Sequence, residues 1–199
     1  MFARAAVCVI ILAFSSLSSI AQPFSSWDQG DRFRGGGPAS AGGMGMGGAI
    51  SSVPRQTVSL VTSASYAPGT ILISTSQRRL YFVNGDGTAI AYGIGVGRDG
   101  FTWAGVKTVT AKKEWPSWTP PAQMLRRRPD LPRFMPGGPD NPLGARALYL
   151  GSTLYRIHGS NEPETIGQAV SSGCFRMTNE DVVDLYNRTR IGARVIVQR

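Results

Sequence analysis

The chain has 199 residues, with 21 Lys and Arg against 12 Asp and Glu, a formal charge of +9, and 25 Gly and 13 Pro. At the usual ~100–200 residues per domain this allows one folded domain with additional segments. It excludes a uniformly globular chain, because much of the Gly lies before residue 50. The cationic surplus suits an anionic partner such as nucleic acid, acidic lipid or a carboxylate-bearing polymer, or serves solubility alone, and by itself selects none of these.

Residues 1–21 read as a secretory signal peptide. Arg4 gives a short positive start, Ala5 to Phe14 is apolar, and Ser19-Ile20-Ala21 puts small residues at the cleavage positions before Gln22. The apolar stretch is too short to span a bilayer core that needs ~20 residues, and an uncleaved anchor is the alternative. No later segment is long and apolar enough to cross a membrane, so the expected product is exported to the periplasm or cell wall without an integral membrane segment. Cys8 sits inside the apolar stretch and leaves with it. Cys174 then remains as the only thiol, in a compartment that oxidises thiols, and is either reactive or buried and inert.

Residues 22–57 read as a disordered Gly-rich tether, since stretches such as Ala41-Gly-Gly-Met-Gly-Met-Gly-Gly have too little apolar surface to offset the entropy of ordering. Phe24, Trp27 and Phe33 are docking points in the alternative reading. Residues 58–199 form the expected folded domain. Thr70–Ser74 and Arg79–Val83 have strand composition, Asn84-Gly85 signals a hairpin with two positive-φ residues, and Thr88–Val96 resumes an extended segment. Lys107–Lys113 alternates as a further strand. Residues 115–142, rich in Pro and Arg, read as a long irregular insertion with one helical candidate, Ala122–Arg128, before Pro129. Ala147–Leu150 and Leu154–His158 read as two strands joined at Gly151-Ser152. Glu162–Val170 is expected to form a short helix, Thr178 to cap a helix over Asp181–Thr189, and Ala193–Gln198 to close as a strand. Many short strands, few helices and no repeats point to a mainly β fold, sandwich-like or barrel-like.

His158 is the one histidine of the chain, and with Cys174 it frames the chemistry. A cysteine thiol titrates at about 8.5, so at neutral pH it needs a base to become a nucleophile. A nearby imidazole can take that proton and return it to a leaving amine. Gly173, before the cysteine, allows close approach of a substrate carbonyl and leaves backbone N–H groups to meet an oxyanion. The Gly159 carbonyl is placed to fix the histidine tautomer. One His and one Cys fall short of the ligands zinc takes, and no cofactor is called for. A lone His at a strand end is also a common structural residue, and Gly-Cys alone has little specificity.

The stretch His158-Gly-Ser-Asn followed by Ser171-Ser-Gly-Cys-Phe-Arg-Met resembles the signature of the L,D-transpeptidase catalytic domain: a histidine, a gap, then Ser-x-Gly-Cys, a hydrophobic residue, and Arg or Asn. The similarity extends to Gly100-Phe-Thr-Trp-Ala-Gly, Glu114-Trp-Pro-Ser-Trp-Thr-Pro-Pro and Ile166-Gly-Gln-Ala-Val, covering residues 59–197. Many members have a second histidine two residues before the cysteine. Here that position is Ser172, similar to a subgroup with Arg after the cysteine, which leaves His158 as sole base.

The resemblance implies that Cys174 attacks a peptidoglycan tetrapeptide stem after its third residue, with His158 as proton donor and acceptor and N–H groups near Gly173 and Cys174 at the oxyanion. The acceptor is a second stem, an outer-membrane protein, or water in an L,D-carboxypeptidase. It also implies acylation of Cys174 by carbapenems. Ser172 joins Gly173 and Gly159 as an oxyanion or orienting residue, and Ser171 of the same loop binds substrate. Arg176 either holds that loop or pairs with a stem carboxylate, and Trp118 packs either on substrate or in the core. The other readings are a wall-binding module without turnover, a different cysteine hydrolase on the same polymer, and a nucleic-acid binder. Scattered basic residues and export argue against the last.

Overall fold

The computed structural model describes residues 54–60 and 66–199. The expected signal peptide, with Cys8, and residues 22–53 of the expected tether lie outside the described residues. The last two tether residues, Gln56 and Thr57, instead belong to the first strand, β1 (Gln56–Ser59), which pairs antiparallel with β4 (Thr88–Gly93). Between them in sequence run β2 (Ile71–Ser74) and β3 (Arg79–Val83). The chain continues through β5 (Val96–Gly97), β6 (Gly105–Glu114), α1 (Ala122–Arg127), β7 (Arg146–Leu150), β8 (Arg156–His158), β9 (Ala169–Ser171), β10 (Phe175–Arg176), α2 (Asn179–Arg188) and β11 (Arg194–Gln198).

Among the described residues, nine strands form one sheet in the order β1-β4-β3-β2-β11-β6-β7-β8-β10, and β5 pairs with β9. The ten-residue strand β6 makes this sheet curl. Its first half pairs with β11 and its second with β7, and the register slips between Val109 and Ala111 so that Thr110 is the extra residue. A bulge of this kind bends and twists its strand. The two arms therefore turn their apolar faces towards each other. Ile71, Ile73, Leu80 and Tyr92 from one arm meet Leu148, Leu150, Ile157 and Phe175 from the other, with Val182 and Leu185 of α2 in the same core. The result is the mainly β architecture expected from the strand pattern, as one curled sheet with few helices. Among the described residues no helix is long and apolar enough to cross a membrane.

Two local expectations change. The β3–β4 hairpin is present, but neither Asn84 nor Gly85 has positive φ; Gly87 does, at 83°. Asp86 Oδ1 accepts from the Thr88 N–H at 3.0 Å and its hydroxyl at 2.6 Å, and Asn84 N donates to Thr88 O at 2.8 Å. This is the longer loop with a glycine at its exit, not a two-residue turn. Glu162–Val170 is not a helix either. A single 3-10 turn at Pro163–Thr165 gives way to β9. Its backbone groups bond across to a neighbouring segment instead of along a helix: Gly167 N donates to Ile94 O at 3.1 Å and Gln168 O accepts from Val96 N at 2.9 Å.

The helix near the C-terminus begins two residues earlier than expected. Thr178 caps it, its hydroxyl accepting from Asp181 N at 3.1 Å. The 115–142 insertion is irregular apart from α1, and mutual 2.8 Å hydrogen bonds between the Trp118 and Met135 backbones close it on itself.

Candidate active site

β8 and β10 are adjacent parallel strands, with Phe175 opposite Ile157 and Arg176 opposite His158. Side chains alternate faces along a strand. Ile157 and Phe175 point into the core, at 0% and 1% exposure. Their neighbours Arg156 and His158, and Cys174 and Arg176, therefore share the opposite face. Cys174 comes immediately before β10 and lies beside Arg156, diagonally across from His158. This parallel pairing brings the two glycine-flanked blocks of the sequence together. Cys174, His158, Ser171, Ser172, Arg176 and Trp118 all border one cavity of about 380 Å³. Its other walls come from Leu154 and Tyr155 just before β8, Arg156 at its start, Phe101 after β5, and Met124 and Arg127 of α1.

The turn carrying Cys174 is built from both sides. Ser171 Oγ donates to Cys174 O at 2.6 Å and accepts from Gly173 N at 3.2 Å. Gly173 has φ 102°, and a Cβ there would stand 2.7 Å from Tyr155 Cε1, so conformation and space both demand glycine. Trp103 Nε1 donates to Gly173 O at 2.9 Å, and its ring stacks on Tyr155 with centroids 4.7 Å apart. The Gly173 N–H was an expected oxyanion donor. It is engaged by Ser171 instead, which leaves the Cys174 N–H as the backbone donor of this turn nearest the thiol.

His158 is 5% exposed. Its Nδ1 lies 2.6 Å from Gly159 O. A carbonyl only accepts, so Nδ1 carries the proton and Nε2 is the free basic nitrogen. Gly159 is required by space: a Cβ would collide with Asn179 Oδ1 and come within 3.1 Å of Val182 Cγ1 at the start of α2. Burial draws the histidine down to about 4, the charges of Arg176 and Arg156 add to this, and the Gly159 bond opposes it. Burial pushes the Cys174 thiol up, against the opposing pull of Arg156 and, more weakly, Arg176. The resting pair is thus an uncharged thiol and an uncharged imidazole. The thiol donates to Leu154 O at 3.6 Å.

Arg176 Nη1 is 2.9 Å from Glu162 Oε2 and 3.4 Å from Thr165 Oγ1. Of its two expected roles, these contacts serve the holding of the 160s loop. Trp118 is partly buried and borders the cavity. The sequence reading missed Trp103, Tyr155, Leu154 and Arg156 as site residues. For Arg156 a signal was present, because in a strand ending at His158 the residue two positions earlier must share its face. Trp103 and Tyr155 act through contacts distant in sequence and left no such signal. Among the described residues no three His, Cys, Asp or Glu side chains come together as a metal-ligand set would.

Residues 68–197 match the family described as the L,D-transpeptidase catalytic domain. Probable L,D-transpeptidase YbiS of Escherichia coli (strain K12) is 38% identical over 157 residues, covering 75% of this chain and 49% of that protein. Probable L,D-transpeptidase ErfK/SrfK of the same strain is 40% identical over 134 residues, covering 63% of this chain and 42% of that one. The chain thus spans about half the length of the relatives it matches. Among solved structures, L,D-transpeptidase 3 from Mycobacterium tuberculosis superposes with a TM-score of 0.54 at 21% identity, over 65% of this chain and 60% of that one, a likeness of fold.

Proposed function

The chain belongs to the L,D-transpeptidase catalytic-domain family, and from that premise we propose that it is an exported, cysteine-dependent acyltransferase acting on peptidoglycan stem peptides in the periplasm or cell wall. The observation that carries this reading is the β8–β10 pairing, which sets Cys174 and His158 on one face and in one cavity, with the histidine tautomer held by Gly159 O.

In this reading the carbonyl after the third residue of a tetrapeptide stem enters beside Cys174. The S–H bond breaks and its proton passes to His158 Nε2, while the sulfur keeps the electron pair and bonds the carbonyl carbon. The charge moves to the carbonyl oxygen, which the Cys174 N–H meets as a backbone donor. Collapse expels D-alanine, whose nitrogen takes the proton from Nε2, and leaves a thioester on Cys174. An acceptor amine then attacks, gives its proton to His158, and departs as the new amide while the thiol is restored. Because the resting pair is uncharged, charge separates only once substrate has replaced water in the cavity. A second stem as acceptor gives a 3→3 cross-link, an outer-membrane protein gives an attachment, and water gives a carboxypeptidase. Neither a cofactor nor nucleic acid has a part in these steps.

The test is mass spectrometry of the full chain incubated with a disaccharide-tetrapeptide. The expected result is an acyl adduct mapped to Cys174 with release of D-alanine, absent in Cys174→Ala, and a comparable adduct with a carbapenem. The products then separate transfer from hydrolysis. A folded protein that forms no adduct and releases no D-alanine would favour a wall-binding module and overturn the enzymatic reading.

A further inference from the structure

The cavity is bordered by Arg127, Arg156 and Arg176, and among the described residues no carboxylate borders it. All three have partners. Arg176 is paired with Glu162 at 2.9 Å, and Arg127 lies over the Phe101 ring at 5.2 Å. Arg156 likewise lies over a ring, that of Tyr149, at 5.2 Å, and differs only in one atom. Its Nη1 donates to Leu154 O at 3.2 Å, but its Nε is buried with no hydrogen-bond partner. A buried N–H left unpaired is costly and calls for an explanation. Strand register sets Arg156 beside Cys174 on the same face. The two side chains also share a partner, because the Cys174 thiol donates to the same Leu154 carbonyl.

That carbonyl suits a protonated thiol and repels a thiolate. We propose that Arg156 is the group that holds the Cys174 thiolate during catalysis: as the thiol gives its proton to His158, the sulfur exchanges its bond to Leu154 O for one from the Arg156 guanidinium. The S–H bond breaks, the proton goes to His158 Nε2, and the sulfur keeps the pair that later forms the S–C bond. A charge-assisted N–H contact of this sort is about twice as strong as a neutral one. The other groups facing the sulfur do not compete for this role. The Trp103 indole N–H is taken by Gly173 O, Arg176 is paired with Glu162, and His158 receives the proton. Arg156 draws the thiol down against burial, first through its backbone N–H and then through its guanidinium, and only the second part belongs to the side chain.

The inference rests on Cys174 being the nucleophile, yet its test needs no stem peptide. The rate of iodoacetamide alkylation at Cys174 is measured against pH in the full chain, Arg156→Gln and Arg156→Lys. Peptide mapping keeps Cys8 out of the reading. At pH 7.5 the Gln variant should react about tenfold more slowly, a shift of about one pH unit in its profile. The Lys variant, with a charge but no planar fork, should lie between, about threefold slower than the parent. If the Gln variant loses its near-UV circular dichroism, the Lys variant alone decides. Parent-like alkylation profiles in the folded variants would overturn the proposal. In turnover, Arg156→Gln should lower kcat with KM nearly unchanged. A raised KM with unchanged kcat and unchanged alkylation would make Arg156 a substrate anchor and also overturn it. A parent that alkylates normally but forms no acyl adduct with tetrapeptide would sink the proposed function, while the comparison of alkylation rates still reports on Arg156.

Discussion

Acid should destabilise the domain in part by forcing a proton onto His158, and the substitution His158→Asn should remove that part. The folded imidazole titrates at about 4 against an ordinary value of 6.5. Between those values the unfolded chain binds a proton that the folded chain refuses, so stability rises with pH through this window. The contribution is complete above 6.5, is lost as the pH falls toward 4, and changes little below it. At 1.36 kcal/mol per unit the displacement is worth about 3 kcal/mol. The side chain is 5% exposed, so solvent screening takes little from this figure. Asn keeps an amide N–H for the Gly159 carbonyl and does not titrate. Urea unfolding of both proteins at pH 7 and pH 4 measures the difference. Asp184, held low by Arg188 and Tyr92, titrates in both proteins and cancels. The parent should lose about 3 kcal/mol more than the variant between the two pH values. Equal losses would refute the argument that the imidazole is buried uncharged.

Three further predictions follow from the same geometry. A base that titrates at about 4 stays neutral well below the usual histidine range. The acid limb of kcat/KM for acyl transfer should therefore lie nearer pH 4 than 6.5, and a limb at 6.5 would mean that His158 is solvated when it acts. Gly173→Ala forces a Cβ towards Tyr155 at a φ of 102°. It should cost at least ~1–2 kcal/mol in thermal or urea unfolding and abolish acylation, since the turn must rearrange; parent-like activity would show that the turn is more tolerant than its geometry implies. For the Arg176–Glu162 pair, with side-chain exposures of 21% and 52%, a double-mutant cycle on stability should return less than ~1 kcal/mol. A larger coupling would mean that the pair is more desolvated than its exposure indicates.

The strands that could be read in advance were those whose local pattern and long-range environment agree. Arg79–Val83 formed over the expected residues, because its apolar and β-branched side chains face a core on either reading. Glu162–Val170 misled because its composition permits a helix, while Ile94 and Val96, distant in sequence, supply the backbone partners that draw it into an extended path. The two-residue strands β5 and β10 have no periodicity to detect. They exist only because β9 and β8 lie beside them.

Two residues of the site were legible for a chemical reason. The chain has one histidine, and the thiol of Cys174 stands in a glycine-flanked block of its own, so base and nucleophile could be named from residue type alone. The glycines around them could be named as well, because positive φ and close approach are properties of glycine itself. What only the tertiary structure decided is how these residues meet and in what charge state. Segments separated by a long connection share a face only once they pair, and here the parallel register of β8 and β10 sets it. Burial, not spacing, makes thiol and imidazole neutral at rest. Burial likewise leaves one N–H of Arg156 without a partner beside the sulfur. Residue chemistry is local and survives in the sequence. Desolvation and strand register are collective, and take their values only when distant segments have packed.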